Sequence, residues 1–132
     1  MSDTSGWTVI NFDGLSLSHP VTTPSGRSVI ADDIRVHLVA EGGELYFEVS
    51  RRQGHTSDAY RREREHLIDE GAEVSELVPA ELNGWPAQEF TAAFPHKTRT
   101  FLLCERPPWL YRLVYDPKSA LNLEVLSTIR IE

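Results

Sequence analysis

The stretch Leu82-Asn83-Gly84-Trp85 constrains the fold more than any other part of this 132-residue chain. Asn-Gly between apolar residues supplies the positive φ that a type I′ turn needs at both central positions, so the chain here must fold back as a β-hairpin. Alanine at Gly84 would strain that turn. Around it, residues 76–115 read as four strands in succession joined by short turns, the last turn being Pro107-Pro108 before Trp109.

A second hairpin precedes this unit. Ile34, Val36, Leu38 and Ala40 alternate with Arg35, His37 and Val39, and Leu45, Phe47 and Val49 alternate with Tyr46, Glu48 and Ser50. A two-residue turn at Gly42-Gly43 would pair Ala40 with Leu45, Leu38 with Phe47, Val36 with Val49 and His37 with Glu48, which brings the two apolar faces together. Nearer the start, Trp7 to Ile10 and Leu15 to Ser18 flank an Asp13-Gly14 turn and predict short strands at a sheet edge. His19-Pro20 ends the second of them, and Thr22 to Gly26 reads as a surface loop. Residues 1–5 are small and polar and are expected to fray.

Two helices complete the pattern. Thr56, Ser57 and Asp58 offer N-cap oxygens to a helix running to about Glu70, with Gly71 at the position where a glycine stops a helix. Its expected apolar stripe is Tyr60, the stem of Arg64, Leu67 and Ile68, and its expected ion pairs are Asp58 with Arg62 and Arg61 with Glu65. After Asp116-Pro117, the spacing of Leu121, Val125, Leu126 and Ile129 predicts a helix from about Ser119 to Ser127, then a short last strand; Leu121, Leu123 and Val125 also alternate as a strand would. The sum is an α+β domain spanning residues 1–132, an antiparallel β-sheet flanked by helices.

The acidic balance, 20 Asp+Glu against 13 Lys+Arg and a net charge of −7, opposes binding to nucleic acid or anionic lipid. A single cysteine, Cys104, excludes an intramolecular disulfide and any multi-cysteine zinc site. No stretch approaches the roughly 18 apolar residues of a membrane span, and the N-terminus lacks the basic and apolar regions of a signal peptide. A cytoplasmic protein without membrane insertion is expected.

Trp7 with Phe12 and His19-Pro20, Leu82-Asn83-Gly84-Trp85-Pro86-Ala87, and Leu126-Ser127-Thr128-Ile129 resemble the aromatic-to-Pro opening, the "l-G-x-P-A" hairpin and the closing "i-l-x-S-i" run of the PsbP-like family. That resemblance implies an α/β/α sandwich, shared by the photosystem II extrinsic protein, the yeast Ran-release nuclear import factor and bacterial DcrB-like proteins. It implies a fold and no activity. Phe47-Glu48-Val49-Ser50-Arg51 followed by a helix bearing Tyr60 is similar to the hairpin-to-helix junction of cytoplasmic chaperones of type VI secretion effectors.

Chemistry is sparse. The 5 histidines, His19, His37, His55, His66 and His96, show no H-x-x-x-H or H-E-x-x-H spacing, so no metal or cofactor is expected. Cys104 in Phe101-Leu102-Leu103-Cys104 reads as a small buried hydrophobe, with no activating base beside it. Arg51, Arg52, Arg61, Arg62 and Arg64 form a local basic cluster, either a solvated helix face or a receptor for an acidic partner. Trp109 is either a lid on the core or an exposed anchor. Arg61, Arg62, Arg64 and Trp109 are therefore the candidate partner-binding residues, with Asn83, Gly84, Gly42 and Gly43 as structural turns. The expected function is a non-enzymatic accessory or protein-binding domain, a bacterial chaperone or adaptor, with a symmetric homodimer as one way to cover an apolar face. The alternative is an enzyme or small-ligand binder with a pocket between sheet and helix.

Overall fold

A computed structural model describes residues 8–12, 15–19, 25–30, 33–39 and 46–131. Strands β1 (Thr8–Phe12), β2 (Leu15–His19), β3 (Ser25–Ile30), β4 (Asp33–Val39) and β5 (Tyr46–Gln53) lead into helix α1 (Thr56–Asp69). Strands β6 (Glu73–Val74), β7 (Val78–Leu82), β8 (Trp85–Ala93), β9 (Thr98–Arg106) and β10 (Trp109–Tyr115) follow, then helix α2 (Ala120–Ser127) and β11 (Arg130–Ile131). The fold is α+β, as expected: an eight-stranded antiparallel sheet in the order β3-β4-β5-β10-β9-β8-β6, with β7 also on β8, and a three-stranded sheet β1-β2-β11.

The successive strands from β7 to β10 form where the sequence placed them. Asn83 and Gly84 have φ of 47° and 98°, the positive values that their turn requires. The asparagine side chain does more than permit the turn: its amide donates to the carbonyls of Leu126 at 3.0 Å and Ile129 at 2.9 Å, tying the hairpin to the end of α2. The register of the earlier hairpin also stands, with Val36 opposite Val49, His37 opposite Glu48 and Leu38 opposite Phe47. The Gly42-Gly43 and Asp13-Gly14 turns, the Ala40–Leu45 pairing and residues 1–5 lie outside the described residues.

The core has two faces. On one, Phe90, Phe101, Leu103, Leu110 and Val114 pack with Ala59 and Leu67 of α1. On the other, Phe47, Val49, Leu102, Cys104, Tyr111 and Leu113 pack with Leu15 and Leu17 of β2, Val125 of α2 and Ile131 of β11. Strands β9 and β10 are covered on both sides, which is why Phe101 to Cys104 is a continuous apolar run instead of an alternation. Tyr115 stacks on Phe47, and burial pushes its phenol up to about 12. Asn122, fully buried, accepts from the Tyr46 backbone N–H and donates to the Asp116 carbonyl, both at 3.0 Å, so α2 is fixed to β5 and to the residue that follows β10 through one side chain.

Several expectations need correction. Ser25 and Gly26 belong to strand β3, paired with β4, instead of a surface loop: ladder hydrogen bonds to a neighbour override the local turn signals. The first two strands are short, as expected, and join β11 in a separate small sheet, where β1 is the edge strand and β2 lies between β1 and β11. Helix α1 begins one residue earlier than its expected caps: His55 is the N-cap and makes no side-chain cap bond, while Thr56, Ser57 and Asp58 are already helical. Ile68 and Arg64 are exposed; the inward face is Thr56, Ala59, Glu63 and Leu67, with Tyr60 edge-on to Phe90. Arg61 pairs with Asp58 at 3.2 Å and not with Glu65, and Asp58 is not paired with Arg62. Gly71, at φ 96°, ends the helix as expected, its N–H bonded to Ile68 and that of Ala72 to Leu67.

Candidate binding site between helix and sheet

Alternation along β10 decides what lies where. Trp109, Tyr111, Leu113 and Tyr115 face the α2 side, so Leu110, Arg112 and Val114 face α1. Arg112 is therefore a charged residue on a largely apolar strand face, and it must find anions. It finds two: its Nη1 donates to Glu48 of β5 at 2.9 Å, and its Nε lies 2.7 Å from the Glu63 carboxylate of α1. Its guanidinium also sits 5.2 Å from the Phe101 ring centre. One arginine thus joins two neighbouring strands to the helix above them.

Beside this clamp, α1 leaves a cavity of about 160 Å³ between its flank and the sheet. Ala59, Arg62, Glu63 and His66 contribute from one helical face, and Arg52, Leu110 and Arg112 from β5 and β10. The floor is apolar, Ala59 and Leu110; the rim is cationic. Arg112 is committed to its two glutamates, and His66 lies 3.0 Å from Glu70. Arg52 and Arg62, both exposed, have no ion-pair partner among the described residues. In a chain of net charge −7, two guanidiniums that line one cavity from different elements, with no ion-pair partner among the described residues, are a local reversal of sign.

The candidate residues thus separate. Arg62 lines the cleft. Arg61 is held to Asp58 on the outer helix surface, and Arg64 is exposed outside the cleft. Trp109 lies on the opposite face of the sheet, half-buried against the core, with the buried Arg51 guanidinium 3.8 Å from its ring centre. It is a lid on the core, so Trp109 and Arg62 do not belong to one surface. Arg112 and Glu63 were missed as site residues. The available signal was the break that Arg112 makes in the apolar run Trp109 to Tyr115, since a charge there requires a partner.

Elsewhere, a wider cavity of about 370 Å³ lies among His96, Lys97, Arg99, Asp116 and Lys118. Its cations are partly spent: Arg99 stacks over Tyr46 and lies 3.9 Å from Asp116, and Lys97 sits over Phe94. Cys104 is fully buried, burial pushes its thiol up, and it donates to the Pro86 carbonyl at 3.5 Å. Among the described residues no group of three or more His, Cys, Asp and Glu is placed to hold a metal ion, and no helix is long and apolar enough to cross a membrane.

No family model and no curated protein matches the chain. A crystal structure of a Bacteroides thetaiotaomicron VPI-5482 protein is similar at 15% sequence identity and a TM-score of 0.49, over 90% of this chain and 45% of that one. The chain spans less than half the length of that protein.

Proposed function

We propose that this chain is a non-enzymatic accessory domain of the PsbP-like type, a chaperone or adaptor, that holds a protein partner at the cleft between α1 and the sheet. The observation that carries the reading is the pair Arg52 and Arg62, without an ion-pair partner among the described residues, at the rim of a cavity with an apolar floor. At about 160 Å³ the cavity is below the roughly 300–1,000 Å³ of small-molecule sites, and is of a size for one side chain of a larger ligand. Arginine beside apolar surface is a common composition of binding hot spots. The competing small-ligand reading asks for a deeper pocket in the same place.

Site-directed photocrosslinking tests it. Asp69 is exposed and lies on the helical face of Arg62; Leu123 is exposed on α2, across the sheet. With p-benzoylphenylalanine at Asp69, a discrete protein adduct is expected from a lysate of the source cells, and none with the probe at Leu123. Adducts from position 123 alone would move the interface to the α2 side.

A further inference from the structure

We infer that the group entering the cleft is a carboxylate, carried on an acidic segment of the partner with an apolar residue beside it. The inference rests on the cleft being the partner site. Arginine recognises planar oxyanions through paired N–H donors, and here Arg52 comes from strand β5 and Arg62 from helix α1, so two forks approach one space from different directions. Both are exposed and have no ion-pair partner among the described residues, so pairing them displaces no partner described there.

The charge of the ligand is limited from the other side. Glu63 lines the same cavity and Glu48 lies behind it, each held by Arg112. A phosphate dianion would be repelled by both and would compete for Arg112, the clamp that fastens the helix to the sheet. A monoanionic carboxylate needs only Arg52 and Arg62. Its methylene stem, or a neighbouring leucine, then lies along the apolar stems of Arg52 and Arg62, since Ala59 and Leu110 beneath are already buried. The surplus of 20 acidic over 13 basic residues in this chain opposes self-association through such a surface, so a different protein is the occupant.

The test uses the whole chain and three probes: a capped hexapeptide Ala-Leu-Glu-Glu-Leu-Ala, its Gln-for-Glu analogue, and inorganic phosphate. Binding is read from the side-chain Nε–H signals of Arg52 and Arg62 and the backbone amides of β5 and α1 in ¹H–¹⁵N spectra. The acidic peptide is expected to shift these signals saturably, and the Gln analogue, or the acidic peptide with Arg52→Gln or Arg62→Gln, to bind at least about tenfold more weakly. Both arginines are exposed, and circular dichroism of each variant checks that the fold is retained. Equal binding of the Gln analogue, stronger binding of phosphate, or no shift with the acidic peptide would each overturn the carboxylate assignment. A concentration-dependent dimer in the ultracentrifuge, abolished by Arg62→Glu, would instead make a second copy the occupant and overturn the assignment to a different protein. Since the spectra report on the arginines directly, a failed carboxylate assignment leaves the crosslinking result at Asp69 standing.

Discussion

The Glu105 carboxylate, near the end of β9, accepts the Thr56 backbone N–H at the first turn of α1. The sequence offers three capping residues at this helix start, yet the cap arrives from a strand 49 positions away. The hydrogen bond to Thr56 holds the Glu105 carboxyl below the usual carboxylate range, with the His55 ring, 3.9 Å away, adding to it. A depressed folded pKa gives stability that is present above the unfolded value of about 4.3 and lost as pH falls through the folded one. Glu105 is 37% exposed, so solvent screening reduces the effect. Glu105→Gln should cost on the order of 0.5–1 kcal/mol at pH 7 and less in acid, below the unfolded value of about 4.3. Urea unfolding at both pH values checks this; an equal loss at both would show that charge is not what the cap uses.

At the central hairpin, position 84 has open space where a Cβ would go, so Gly84→Ala meets strain from its φ of 98° and no clash. The expected loss is about 1 kcal/mol. Asn83 is the costlier position, because Asn83→Gly keeps the turn but removes both donors to the end of α2. Its expected loss is about 1–2 kcal/mol. If thermal melts rank Gly84→Ala as the worse variant, the amide bonds to Leu126 and Ile129 contribute less than the backbone.

What the sequence disclosed was whatever short-range chemistry decides. The Asn83-Gly84 turn, the register that sets His37 opposite Glu48, the stop at Gly71 and the buried Cys104 each follow from a few neighbouring residues. What it withheld was set by partners far along the chain: β3 forms because β4 accepts its ladder, the start of α1 is capped by Glu105, and Arg62 is freed for the cleft while Asp58 takes Arg61. The candidate site was half legible. The basic cluster was visible, but its division between two faces of the sheet depends on the alternation of β5 and β10, which sends Arg51 to Trp109 and Arg52 to the cleft.

That division gives opposite expectations for two residues first grouped together. Trp109→Ala removes a half-buried ring and the surface on which Arg51 rests, and should destabilise the fold by about 2–3 kcal/mol while leaving partner crosslinking at Asp69 intact. Arg62→Glu should leave the melting temperature within about 2 °C of the parent, since surface substitutions usually cost less than about 0.5 kcal/mol, and should abolish the crosslink. Loss of the crosslink in a folded Trp109→Ala variant would return Trp109 to the interface.

Arg112 carries a heavy electrostatic burden, because its side chain and those of Glu48 and Glu63 are each less than one quarter exposed, at 18%, 11% and 23%. Screening by salt is weak at such burial, and removing the cation takes from Glu48 and Glu63 the guanidinium they share between sheet and helix. Arg112→Ala should therefore cost about 2–4 kcal/mol, near the value for breaking a buried pair, and α1 should loosen before the sheet. Neutralising the anions as well tests the cause: Glu48→Gln and Glu63→Gln added to Arg112→Met should recover about 1–2 kcal/mol relative to Arg112→Ala, since an apolar side chain between neutral amides strands no charge. Denaturant unfolding gives the energies, and amide exchange along Thr56–Asp69 shows whether the helix opens first. If the triple variant is no more stable than Arg112→Ala, the loss comes from packing of the arginine stem on Phe101 and not from the charge that the two carboxylates lose.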